Sequence, residues 1–157
     1  MKVDADIALA RPADARAIAL LSRAVVEAGL SWRWTPARVL RSLADASTNV
    51  IVARAPGQAA LAGFALMKYG EQEAHLLLLA VQPAQRRQGV GRALLDWLHA
   101  TALTAGTGVI RLETRASNAG ARAFYRAQGY VEIGRLRGYY DGVEDALRLA
   151  RDLYAAA

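Results

Sequence analysis

Apolar and polar positions change their spacing several times along the chain, and each change predicts an element. Val3 to Ala10 alternates with the period of a half-buried strand. Pro12 then suits a first helical turn, and Ile18, Leu21, Val25 and Ala28 form an apolar stripe at helical spacing that runs to Gly29. Thr35-Pro36 is an N-cap and first-turn pair, opening a short helix with Val39, Leu40 and Leu43 as its apolar side. Trp32 and Trp34 fall in the loop between these helices.

The spacing then returns to that of strands. "NVIVARA" (49–55), "ALAGFALMKY" (60–69) and "AHLLLLAV" (74–81) are separated by the turn signals "PGQ" and "GEQ", which predicts an antiparallel meander. Its third member contains an unbroken apolar run from Leu76 to Val81, the pattern of a strand buried on both faces. After Gly91, Leu94, Leu95, Leu98 and Ala102 lie on one side of a helix that stops at Gly106 and Gly108. "VIRLETR" (109–115) is a further strand, and Asn118 caps a helix, "AGARAFYRAQ", closed by Gly129. Two last strands, "YVEIGRLRGYY" and "VEDALRLARDL", flank Asp141-Gly142, a strong hairpin signal.

Composition narrows the classes. The 157 residues are 54% hydrophobic without a long polar tract, enough for one domain (1–157) with a full core. No apolar stretch approaches the roughly 20 residues of a membrane span, and the amino terminus carries acids where a signal peptide is basic. The expectation is a cytoplasmic protein that does not enter membranes. There is no cysteine, so disulfides, thiolate metal sites and a cysteine nucleophile are excluded. His75 and His99 are far apart and share no helical spacing, which argues against a metal site and reads them as ordinary, partly exposed side chains. A formal charge of +6 favours an anionic ligand. Arginines spread along the chain, with no aromatic-basic interleaving, favour a phosphorylated cofactor over nucleic acid.

The candidate anion site is "QRRQGVGRALLDW", residues 85–97. Gly89 and Gly91 imitate a dinucleotide-binding loop, with Glu113 as its distal acid, but the third glycine position is Leu94 and seven residues separate Val81 from Gly89. A Walker loop fails because no Gly-Lys-Ser/Thr follows. What remains is a glycine turn at a helix N-terminus, where free N–H groups and the positive end of the helix dipole favour a pyrophosphate. Arg86, Arg87 and Arg92 would add charge around it, unless the stretch is only a tight turn with solvated arginines.

These residues resemble the GNAT superfamily of N-acetyltransferases, whose acetyl-CoA loop reads Arg/Gln-x-x-Gly-x-Gly/Ala; here it is Arg86-Arg87-Gln88-Gly89-Val90-Gly91. The similarity covers nearly the whole chain in element order and extends to motifs from about Leu76 to Leu153. It implies the GNAT fold: an α/β domain with a mixed, mostly antiparallel seven-stranded sheet and about four helices. The resemblance also implies that the backbone of Leu79, Ala80 and Val81 pairs with the pantetheine arm and that the Arg87 to Arg92 segment holds the pyrophosphate.

Within the superfamily, "LETRASNAGARAFYRAQGY" and "RGYYDGVEDALRLA" look most like the bacterial ribosomal-protein-alanine N-acetyltransferases. That likeness implies Glu113 as proton acceptor, Asn118 as a CoA contact and Tyr125 as proton donor, acting on a protein or peptide N-terminal α-amine. The amino-terminal half, including "GLSWRWTPARV", has no such subfamily match. With no cysteine, the acetyl group would pass directly within a ternary complex, by a monomer or homodimer.

Simpler readings stand beside each role. Glu113 shares a strand face with Arg111 and Arg115, so it reads equally as a salt-bridged acid whose weakened basicity would call for a water relay. Tyr125 reads equally as a packing tyrosine, and Asn118 as a helix cap. Trp32, Trp34, Tyr139 and Tyr140 would wall the acceptor pocket or fill the core. Two alternatives remain: acetylation of a small amine such as a polyamine, amino acid or antibiotic, and a non-catalytic acyl-CoA-binding module.

Overall fold

A computed structural model describes residues 5–155. Its strands are β1 (Asp6–Leu9), β2 (Thr48–Arg54), β3 (Gly63–Tyr69), β4 (Glu73–Val81), β5 (Val109–Arg115), β6 (Val131–Tyr140) and β7 (Glu144–Asp152). The α-helices are α1 (Ala15–Leu21), α2 (Pro36–Ala44), α3 (Val90–Thr104) and α4 (Ala119–Ala127). The strands form one sheet in the order β1-β2-β3-β4-β5-β7-β6, antiparallel throughout except for β4 beside β5.

Each face of the sheet buries its own apolar set. Ile18 of α1 and Val39 of α2 pack with Val50, Val52, Phe64 and Leu66 on one side. Leu94, Leu95 and Leu98 of α3 pack with Ile51, Met67, Ile110 and Leu112 on the other. Alternate β2 residues thus supply opposite layers, the period-two rule in the structure.

One irregularity in β4 shapes the centre of the molecule. Leu66 pairs with Leu78 and Met67 with Leu76, so Leu77 is an extra residue. The bulge reverses the alternation: Ala74 and Leu76 lie in the α3 layer, whereas Leu78 and Ala80 lie in the α1–α2 layer. The strand is therefore not buried on both faces as expected, because Leu77, Leu79 and Val81 remain half-buried. Parallel pairing with β5 also stops at Leu76 opposite Leu112. Beyond that point β4 stays with β3 and β5 with β7, leaving a wedge between them.

Two further boundaries differ from the sequence reading. The first strand is Asp6–Leu9, and Val3 lies outside the described residues. The first helix does not run evenly to Gly29: α1 ends at Leu21, a π turn covers Ser22–Val26, and Ala28 is exposed beyond it. Glu27 ends the helix from within, because its carboxylate accepts from the Ser22 hydroxyl and from the backbone N–H groups of Arg33 and Trp34. Those bonds fold the chain back toward the sheet.

Candidate active site

The wedge between β4 and β5 opens into a cavity of about 260 Å³. Leu77, Leu79, Thr114, Asn118, Tyr125 and Tyr140 are among its walls. Lacking a strand partner on its β5 side, the β4 edge from Leu77 to Val81 offers backbone donors and acceptors there. Leu79 borders this cavity and, like Val81, packs against the α3 layer, whereas Ala80 turns its methyl into the α1–α2 core.

At the mouth of the wedge the glycine loop ends in α3. Arg87 and Gly89 both have left-handed backbone, φ 65° and 84°, and Gly89 is the N-cap. The first backbone bond of the helix runs from Ala93 N–H to Gly89 C=O at 3.0 Å, so the N–H groups of Val90, Gly91 and Arg92 have no acceptor within it. Val90 anchors the loop by burying its side chain in the core. A Cβ on Gly91 would stand 3.1 Å from Cζ of Phe124, so glycine there first of all lets the α3 terminus lie against α4. Arg86, Arg87 and Arg92 are exposed and Gln88 is half-buried, leaving three guanidinium groups around a helix N-terminus.

A second cavity, of about 360 Å³, lies on the far side of Glu113. Trp34, Arg38, His75, Tyr139 and Asp141 are among its walls, and Leu77, Leu78, Glu113 and Tyr140 line both cavities. Its roof joins two distant segments: Asp141, in the β6–β7 turn, accepts from Ser31 N–H at 2.7 Å and from Arg33 at 3.0 Å. Asp141 and Gly142 are both left-handed and Val143 N–H donates to Tyr140 C=O, the geometry of a type I′ turn. Arg115 braces the roof from below by donating to the carbonyls of Val26 and Ala28.

Trp34, Tyr139 and Tyr140 border the cavity under the β6–β7 turn, and Trp34 is at the same time part of the α1–α2 core. Trp32 does not: its indole N–H donates to Ala19 C=O at 3.3 Å and Arg23 stacks on its ring, so it packs α1 instead of lining either cavity. The two tryptophans are two residues apart in an irregular loop, where spacing fixes no common face.

Glu113 sits between the cavities with only 4% of its side chain exposed. His75 Nε2 lies 2.6 Å from Oε1; Arg148 donates to Oε2 at 2.9 Å and Arg111 at 3.3 Å. Tyr139 adds its hydroxyl at 3.4 Å. Burial pushes the carboxyl up, but the bonds from His75 and Arg148 outweigh it and hold the group down at about 2. Arg115, expected beside Glu113, turns to the carbonyls named above and to Glu144.

Neither histidine is ordinary. His75 joins the Glu113 cluster; His99 is buried with its ring nitrogen 2.9 Å from the Tyr130 hydroxyl. Spacing within the sequence hid His75 because its partner lies 38 residues away on a parallel neighbour. Tyr125 is 7% exposed in the α3 layer, and burial, with Tyr140 nearby, pushes its hydroxyl well above the usual phenol range. Asn118 caps α4, its side-chain oxygen accepting from Ala121 N–H at 3.0 Å, and also borders the wedge cavity.

Known proteins share this fold. A family model described as the acetyltransferase (GNAT) family matches residues 17–130. The ribosomal protein bS18-alanine N-acetyltransferase of Escherichia coli strain K12 is 43% identical over 93 residues, covering 57% of this chain and 63% of that protein's length. The N-alpha-acetyltransferase RimI of Mycobacterium tuberculosis is 36% identical over 126 residues, 76% of this chain and 75% of that one. Among solved structures, the ribosomal-protein-S18-alanine N-acetyltransferase from Escherichia coli aligns with a TM-score of 0.81 at 30% identity, covering 98% of this chain and 97% of that one.

Proposed function

Because the chain belongs to the GNAT acetyltransferase family, we propose that it moves an acetyl group directly from acetyl-CoA to a primary amine, the N-terminal α-amine of a protein or peptide. The observation that carries this reading is the pair of cavities meeting at Glu113 and Tyr140: one lies beside the glycine loop, the other under the β6–β7 turn. A thioester brought through the wedge and an amine brought under the turn would meet between them. The relatives named for a ribosomal protein alanine suggest an acceptor with a small first residue.

In this reading the N–H groups of Val90, Gly91 and Arg92, with Arg86, Arg87 and the Gln88-Gly89 turn, hold the pyrophosphate; charge-assisted bonds of this kind contribute about 1.5 to 3 kcal/mol each. The free β4 edge at Leu79, Ala80 and Val81 takes the pantetheine amides, and Asn118 borders the same slot. Tyr125 supplies the proton that the departing thiolate needs. Glu113, ionised at any ordinary pH, stabilises positive charge where the amine approaches. With no cysteine in the chain, no acyl-cysteine precedes transfer. We place the reaction in the cytoplasm; no helix among the described residues is long and apolar enough to cross a membrane.

The test is release of CoA thiol with paired peptides. An α-amine titrates near 7.7 to 8.0 and a lysine near 10.4, so at neutral pH the α-amine presents its neutral form roughly a few hundred times more often. Peptides with a free small N-terminal residue should therefore outpace the same peptides with a blocked terminus and a free internal lysine. Reaction with polyamines or free amino acids alone would replace the acceptor class, and acetyl-CoA binding without any turnover would leave only a binding module.

A further inference from the structure

The carboxylate at the centre of the site is already saturated. A carboxylate offers about four lone-pair positions, and Glu113 receives four donors: His75 and Tyr139 on one oxygen, Arg148 and Arg111 on the other. An arriving ammonium has little room to add a fifth. His75 is placed otherwise. Its ring is part of the wall of the cavity under the β6–β7 turn, with 22% of the side chain exposed.

The bond between the two side chains also sets the tautomer. An ionised carboxylate only accepts, so the proton in the 2.6 Å contact belongs to His75 Nε2, and the lone pair of the neutral ring belongs to Nδ1. Among the described residues no group donates to that nitrogen. A carboxylate holding one ring nitrogen so that the other can take a proton is the arrangement by which histidine serves as a general base on unrelated folds.

We infer that His75 accepts the proton of the incoming amine and that Glu113 is the positioning residue that holds it. This rests on the acetyl-transfer reading above. The α-ammonium gives one proton to Nδ1. Its freed electron pair forms the N–C bond to the thioester carbonyl, and the C–S bond breaks with its pair going to sulfur. The nitrogen loses its second proton to water, and the thiolate takes one from Tyr125, which water reprotonates. Once His75 has released its proton to solvent, one proton has been produced per amide formed.

The charged groups packed around His75 have partners of their own. Arg111 and Arg148 are spent on the Glu113 carboxylate, and Glu73 takes Arg111 from the other side. Lys68, across from His75 on β3, turns to Asp45. On the far wall Glu27 is bound by backbone, Arg33 pairs with Asp141, and Arg38 stacks on Trp34. Tyr139 and Tyr140 keep their protons, burial pushing both hydroxyls up.

Three forms of the full chain, wild type, His75→Gln and Glu113→Gln, decide the matter with acetyl-CoA and a peptide bearing a free N-terminal alanine. Removing a general base costs roughly 10² to 10⁴ in rate, so kcat/KM of His75→Gln should fall at least a hundredfold while acetyl-CoA still raises its Tm as in wild type. The acid limb of the wild-type profile should contain two ionisations. His75→Gln should keep the one that follows the acceptor's own amine and lose the other, whereas Glu113→Gln should keep both. ¹⁵N spectra of the wild-type histidines should place the neutral-state proton of His75 on Nε2. Wild-type rate and profile in His75→Gln, loss of the non-amine ionisation in Glu113→Gln instead, or a proton on Nδ1 would each overturn this inference and leave the acetyl-transfer reading standing. A wild-type enzyme that acetylates no amine at all would overturn that reading, and this one with it.

Discussion

Tyr125 is the residue whose proposed role and surroundings pull hardest on each other. Buried in the α3 layer, its phenol holds its proton far above neutral pH, which makes it a permanent donor and a reluctant acid. Handing a proton to a thiolate is then tolerable only as the C–S bond breaks beside it. Tyr125→Phe should lower kcat by two orders of magnitude or more and leave the acetyl-CoA-induced rise in Tm unchanged, and no alkaline limb below pH 10 should trace to this hydroxyl. Unchanged turnover in the variant would reduce Tyr125 to packing.

Glu113 makes a separate prediction about stability. Its folded value of about 2 lies below the ordinary carboxylate range, so the stabilisation it contributes is complete above about pH 5 and is lost as pH falls toward 2; the shift corresponds to about 3 kcal/mol. Glu113→Gln should be less stable than wild type at pH 7, and denaturant titrations should show that gap closing as pH is lowered through that window. A gap independent of pH would mean that the carboxylate's charge is not what stabilises the cluster. Motif alone pointed to Glu113, Tyr125 and Asn118, and strand spacing to Arg111 beside Glu113; neither pointed to His75 or Arg148. They reach Glu113 across strand pairings 38 and 35 residues apart in sequence, set by register.

At the scale of elements, all seven strands and four helices were legible because each carries its own period and punctuation. The devices that turn them into a site were less so. A bulge at Leu77 is invisible in an all-leucine run, since shifting one residue changes no apolar position, yet it exchanges the layers that Leu76 and Leu78 join. Parallel pairing that ends at Leu76 leaves equally little trace, because β4 and β5 keep their antiparallel neighbours on the other side. Glu27, which ends the first helix early, reads in sequence as one more polar helical residue.

Gly63 guards this region: a Cβ there would lie 2.7 Å from the carbonyl oxygen of Ala80, backbone that cannot swing aside. Gly63→Ala should therefore force β3 and β4 apart next to the free edge. Overpacking of this kind costs about 1 to 3 kcal/mol, or a fall in Tm of roughly 3 to 10 °C for a chain of this size. The acetyl-CoA-induced shift should shrink as well, because the pantetheine edge belongs to the same strand. A Tm within a degree of wild type would show that the two strands are not held as closely as the register indicates.

Across the whole molecule the charge is +6, and its distribution bears on which acceptors reach the site. Arg86, Arg87 and Arg92 crowd the mouth beside α3, and Arg33 and Arg38 border the cavity under the β6–β7 turn. The acids on that cavity are already engaged: Glu27 by backbone N–H groups, Asp141 by Ser31 and Arg33, Glu113 by its four donors. Asp141 offsets Arg33 there, so the excess positive charge lies with the arginines beside α3 and the chain's net +6, which suits an anionic cofactor and opposes a strongly basic peptide. Two peptides with the same first three residues, one followed by acidic and one by basic side chains, separate this effect from recognition of the amine. Near 10 mM salt, where the Debye length is about 30 Å, the acidic tail should give a kcat/KM several-fold higher; at 0.5 M, where screening acts within a few ångströms, the two should converge. The difference should lie in KM rather than in kcat, since distant charge steers encounter and leaves the bond-making step untouched. A basic tail that reacts faster at every ionic strength would place an anionic recognition surface elsewhere on the protein and overturn the charge argument, while leaving the proposed chemistry between the two cavities intact.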